Sequence, residues 1–138
     1  MVGIGWVWAA LLAGAVGVAA MPAARAECDA SLPQQGLNDC AFREFEAADA
    51  ALNAAYRQIV ARLAGQTEAR QLLTKAQRAW VAFRDAECRF SASGVQGGSI
   101  QPMIASMCQT DLTKTRTEAL RRYLDCKEGD LSCPVPAR

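Results

Sequence analysis

Six cysteines constrain this chain more than any other feature: Cys28, Cys40, Cys88, Cys108, Cys126 and Cys133. No two of them form a C-x-x-C pair, and the chain has no histidine. Zinc sites are built from close Cys or His pairs, so a metal reading fits poorly. An even count with wide spacing reads as up to three disulfides, which require an oxidising compartment. The N-terminus supplies the matching export pattern. Ile4 to Met21 carries no charge, Pro22 follows, and Ala24-Arg25-Ala26 has the small-residue form of a cleavage site. Residues 1–26 are therefore expected to be a signal peptide, although no Lys or Arg precedes Arg25. The competing reading is a retained anchor, since about 18 apolar residues just span a bilayer. Cleavage after Ala26 leaves 112 residues with 14 basic and 14 acidic side chains. A neutral mature chain argues against nucleic acid or anionic lipid as partner, because both are recognised by clustered cations.

Three amphipathic stretches follow. From Gly36 to Ala64, Leu37, Ala41, Phe45, Ala48, Leu52, Tyr56, Ile59 and Leu63 recur at spacings of three and four. Phe42, Asp49, Asn53 and Val60 form an adjacent stripe. Pro33 blocks backward extension, and Gly65 suits the position after the helix. The second helix is expected to be capped by Thr67 and to stop near Phe90, with Ala69, Leu73, Ala76, Trp80 and Phe83 facing inward. Arg84 and Glu87 fall within about 40° of Trp80 on a helical wheel, while Arg78 and Asp85 point to water. The third helix opens around Pro102 and fades near Cys126, with Ile104, Cys108, Leu112, Thr115, Ala119 and Tyr123 on its face. No window alternates with period two over enough residues to make a strand. The expected fold is all-α: a small antiparallel bundle of three long helices over residues 27–126, with residues 127–138 as a C-terminal tail.

Up-down-up order places Cys40, Cys88 and Cys108 at one end of that bundle, with Cys28 leading into it. Four cysteines allow three pairings. The favoured set is Cys88–Cys108, closing the glycine loop, and Cys28–Cys40, with Cys126–Cys133 closing the tail.

Catalytic groups are scarce. Histidine is absent, no acidic cluster stands out, and paired thiols are not nucleophiles. Gly94, Gly97 and Gly98 lie between helices and match no nucleotide fingerprint. No cofactor or metal is expected, and the protein is read as a binding protein, not an enzyme. Two candidate regions remain. One reading makes Trp80 and Arg84 an exposed binding anchor; the reading that the helical wheel favours buries Trp80 and pairs the inward Arg84 with a carboxylate of another helix, such as Asp49 or Asp111. Asn53 and Gln77 are read as interhelical hydrogen-bonding groups. The segment Ser91, Ser93, Gly94, Val95, Gln96, Gly97, Gly98 and Ser99 is small, polar and without a core role. It is the candidate binding loop, since loops on a rigid scaffold often carry recognition.

The ordered residues also resemble a known family. They are Leu37-Asn38-Asp39-Cys40, Ala48-Asp49 with Leu52-Asn53 and Tyr56, and Ala76-Gln77-Arg78-Ala79-Trp80. Phe83-Arg84-Asp85-Ala86-Glu87-Cys88 follows, then Gly97-Gly98-Ser99 with Pro102-Met103 and Cys108, and Leu112-Thr113 with Arg116 and Leu120. Together they look like the lysozyme inhibitor LprI-like N-terminal domain family of exported bacterial proteins, from about Cys28 to Leu124. The resemblance implies a helical, disulfide-bonded domain of the periplasm or cell exterior whose partner is a protein, lysozyme in the first instance. A different partner in the cell envelope is the alternative. Some relatives are lipid-anchored, but Glu27 stands before Cys28 where a lipoprotein signal places a small residue. Its motif residues Asp49, Asn53, Trp80, Phe83, Arg84, Asp85 and Arg116 fall mainly on positions that the helical periodicity makes structural.

Overall fold

The computed structural model describes residues 28–137; the expected signal peptide lies outside them. Three helices make up the fold: α1 (Gln34–Arg62), α2 (Thr67–Ser91) and α3 (Gln101–Leu124), with a single 3-10 turn, Ser93–Val95, before α3. Among the described residues there is no strand, and no helix is long and apolar enough to cross a membrane. α1 begins immediately after Pro33, whose ring fixes its own φ without interrupting the helix that follows. It ends before Gly65, which adopts a φ of 82° that side-chain-bearing residues avoid. Thr67 does not cap α2. It is the first helical residue, and Gln66 precedes it without a side-chain capping bond.

The helices run up, down, up, and α3 is the common partner of the other two. Along the seam between α1 and α3, Ala41, Ala48, Leu52, Ala55 and Ile59 are buried on one side. Ser106, Thr110, Thr113, Thr117 and Leu120 are buried on the other. The inner face of α3 therefore differs from the one that its apolar periodicity suggests. Ile104, Cys108, Leu112 and Ala119 are only half-buried, and Thr115 and Tyr123 are exposed. Thr110 and Thr117 can occupy the seam because the helix itself satisfies their hydroxyls. Thr110 Oγ1 donates to the Ser106 carbonyl at 2.9 Å, and Thr117 Oγ1 to the Thr113 carbonyl at 2.8 Å. Satisfied in this way, they cost little to bury and let the two backbones approach closely.

The largest apolar cluster sits toward the C-terminal ends of α1 and α3. Leu52, Ala55, Ile59, Leu63, Leu120 and Cys126 form it together with Val135. The segment after α3 therefore folds back onto the bundle. The bridge from Cys126 to Cys133, with Cα atoms 5.8 Å apart, turns the chain so that Val135 reaches the core. Arg62 closes the same end by donating to the Leu124 carbonyl at 2.6 Å.

Candidate functional site

The opposite end carries the other two bridges. Cys28–Cys40 ties the leading segment to the first turns of α1, and Cys88–Cys108 ties the end of α2 to the start of α3. The pairing is the one favoured by helix order. Cys88 is buried, with its Cα 5.5 Å from that of Cys108. The connection between them is the candidate loop, and its two ends are thereby fixed.

Within this loop the backbone is hydrogen-bonded to itself. Ala92 is buried and anchors its first turn. The Val95, Gln96 and Gly98 amides donate to the carbonyls of Ala92, Ser93 and Val95, and the Gln101 amide donates to that of Gly98. Gly97 takes a φ of 79°, which requires glycine, and donates its amide to Gln101 Oε1 at 2.9 Å. A Cβ on Gly98 would lie 3.1 Å from the Val95 carbonyl oxygen. From α1, Asn38 Nδ2 donates to the Ser99 carbonyl at 2.9 Å, and Gln34 holds Asn38 in place through its Oδ1. All of Ser93 to Ser99 is nevertheless exposed. The result is a preformed, outward-facing surface of hydroxyls, amides and backbone groups, with Val95 as its apolar member. No titratable side chain lies between Ser91 and Ser99. Its side chains present hydroxyl, amide and aliphatic groups, none of which carries a charge at neutral pH.

The second cluster lies midway along the bundle and is centred on Arg84. Its guanidinium is buried, and NH1 donates to Asp49 Oδ1 of α1 at 3.1 Å. Nε donates to Asp85 Oδ1 at 2.9 Å, and NH1 reaches Thr113 Oγ1 of α3 at 3.5 Å. Its Cζ stands 5.0 Å from the centre of the Phe45 ring and 5.3 Å from that of Trp80. One side chain thus joins all three helices. Asp85, expected to face water alone, is half-exposed and holds the guanidinium. Asn53 makes no interhelical bond: its Nδ2 donates to Asp49 Oδ2 at 2.8 Å within α1 and orients that carboxylate. Gln77 does bridge helices, accepting from Arg116 Nε at 3.1 Å. Trp80 packs half-buried against the main cluster. Phe83 and Glu87, placed near Trp80 by the helical wheel, are both exposed. With Asp49 available as partner, Arg84 takes the inward place and turns Phe83 away.

Every cysteine of the described chain is bridged, and none of its Cys, Asp and Glu residues gather into a metal site. Asn38 and Gln101, which clamp the loop, were not singled out by periodicity. The signal for Asn38 was its place in the run Leu37-Asn38-Asp39-Cys40; no comparable signal marks Gln101.

An uncharacterized protein of Rhizobium meliloti (strain 1021) is 36% identical, over 75% of this chain and 82% of its own length. No solved structure matches the chain. The family model described as "Lysozyme inhibitor LprI" matches residues 25–120, which span α1, α2, the loop and most of α3. On that match, and on the disulfide-bonded three-helix architecture that accompanies it, the chain belongs to the lysozyme inhibitor LprI family.

Proposed function

We propose that this protein is an exported, periplasmic or secreted inhibitor that acts on lysozyme by plugging or covering its cleft with the loop from Ser91 to Ser99. The observation that carries this reading is the loop's prior order: its base is bridged by Cys88–Cys108, and Asn38 and Gln101 hold its exit. A loop already held in one shape loses little conformational entropy when it binds. Its lack of charge also suits the target. Common lysozymes work with a pair of carboxylates in the cleft, so a neutral plug meets no like-charge repulsion there. The match to an inhibitor family supports lysozyme as the partner.

The oxidised, exported protein is expected to slow lysozyme clearing of a cell-wall suspension at stoichiometric ratios. Gly97→Val, which forces a β-branched residue into a positive φ, is expected to weaken that inhibition about tenfold or more while leaving the helical signal intact. Absence of inhibition across several lysozyme types would overturn the reading.

A further inference from the structure

α2 carries a second apolar face that nothing in the described chain covers. Leu72, Ala76, Ala79, Phe83, Ala86 and Phe90 recur at spacings of four and three along nearly its whole length, and all six are exposed. Leu72 is 60%, Phe83 54% and Phe90 75% exposed. On a helical wheel the six fall within about 80° of arc, whose centre lies roughly 120° or more from the inward positions Gln77, Arg84 and Cys88. A solvent-facing helical side is ordinarily polar. A stripe of this spacing is the a/d pattern by which one helix seats against another.

We propose that the stripe seats a second copy of this chain, with α2 packed antiparallel against the partner's α2 about a two-fold axis. Such an interface must be self-complementary, and this sequence is. When the axis passes between Gln77 and Arg78, Ala76 meets the partner's Ala79, and the two helices approach closely at the centre. Leu72 then meets the partner's Phe83, and Ala69 meets the partner's Ala86. Phe90 then lies beyond Thr67, the first residue of the partner's α2.

Charge selects the same register. Glu68 falls opposite the partner's Arg89, twice by symmetry, while Lys75 falls opposite Ala82 and meets no like charge. Both ion pairs found among the described residues belong to Arg84, so neither Glu68 nor Arg89 is engaged in one. Among the described residues Arg89 donates Nε to the Asp85 carbonyl at 3.1 Å, one turn back on its own helix. A parallel pair sets Glu68 beside Leu73 and leaves Arg89 past the end of the partner's helix, and forms no ion pair. Antiparallel pairing also directs the two Ser91–Ser99 loops to opposite ends of the dimer, where both stay free. The inference does not depend on what those loops bind.

Sedimentation of the oxidised, exported protein tests it. A concentration-dependent dimer is expected, and Phe83→Asp, on an exposed position, is expected to raise its dissociation constant at least about tenfold without loss of helical signal. Glu68→Arg and Arg89→Glu are each expected to weaken the dimer several-fold, and the double exchange to restore it to within about threefold of the original. A protein that stays monomeric up to roughly millimolar concentration overturns the proposal. So does a dimer that survives Phe83→Asp, or one that the double exchange fails to restore. A monomer that instead floats with anionic phospholipid vesicles assigns the stripe to a lipid surface and overturns it as well.

Discussion

The two ends of the bundle are held together by different means. At the far end, Leu52, Ile59, Leu63, Leu120 and Val135 bring branched aliphatic side chains into one cluster. At the loop end the buried residues are mainly small: Cys40, Ala41, Ala48, Cys88, Ala92, Ser106 and Thr110. Small side chains remove little apolar area from water, and hydrophobic stabilisation scales with that area. The loop end replaces volume with covalent and polar ties: two disulfides, the Asn38–Ser99 bond and the hydrogen bonds of the loop itself. An end held by volume allows gradual repacking, whereas one held by discrete ties keeps a single shape until a tie is cut. A surface that must present one fixed form to a partner belongs at the second kind of end.

This contrast predicts different failures. The largest effect is expected at the far end. Leu120→Ala removes a fully buried side chain from the seam between α1 and α3 and leaves a cavity, for a loss of about 3 kcal/mol or more. Because both long helices meet there, the loss should appear as a global shift in urea unfolding seen equally by all probes. A purely local effect would break the comparison. The next effect is expected from replacing Cys88 and Cys108 together by serine. The bridge spans 20 residues of sequence, for which chain-entropy reasoning gives about 3 kcal/mol. Amide exchange should accelerate first through the loop and the opening turns of α3, while the Ile59 and Leu120 amides keep their protection relative to global unfolding. Uniform acceleration at both ends would show that the staple acts on the unfolded chain alone.

Asn38→Ala sharpens the same point at lower cost. It deletes the tie from α1 to the Ser99 carbonyl, a loss of about 1 kcal/mol. Its stability effect should be small beside its effect on the loop, where the amides from Gly97 to Gln101 should gain exchange and mobility. If lysozyme inhibition depends on the loop's prior order, inhibition should fall more than thermal stability does.

The sequence made some of these features legible and hid others, for physical reasons. Helix number and order followed from the three-and-four spacing of apolar residues, and the order of helices brought the bridged cysteines together. Arg84 was legible because an inward charge requires a partner, and Asp49 provides one. The inner face of α3 was not. Thr113 and Thr117 look polar to any hydropathy reading, and only their hydrogen bonds inside the bundle make burial inexpensive. Phe83 was misplaced for the converse reason, since an apolar side chain does not announce which neighbour covers it. Val135 stands alone between two prolines, with no periodic company to mark it as core. The order of the loop was hidden because its clamps, Asn38 and Gln101, lie outside it.

The smallest effect concerns the turns that flank the two ends, where the comparison finds a likeness. Asp130, in the loop closed by Cys126 and Cys133, accepts hydrogen bonds from the Ser132 hydroxyl at 2.6 Å and the Ser132 amide at 2.9 Å. These bonds favour the charged carboxylate and hold its pKa below the ordinary 3.8. Asp29, next to the Cys28–Cys40 bridge, accepts from the Ser31 amide at 2.9 Å and is lowered in the same direction, chiefly by that backbone bond. A carboxyl depressed in the folded state contributes its stability above its unfolded pKa and loses it as pH falls through the folded one. Both turns should therefore hold at neutral pH and loosen only in acid below about 3.8. The Ser31 and Ser132 amide resonances should titrate with midpoints under that value. In Asp130→Asn the Ser132 transition should vanish while that of Ser31 remains. Val135 should stay buried throughout, because its place depends on apolar contact and the disulfide, neither of which titrates in this range. A Ser132 midpoint at or above 3.8 would break the assignment of that turn to Asp130, and release of Val135 in step with it would mean that Val135 is held by the Asp130 turn and not by apolar contact and the disulfide alone.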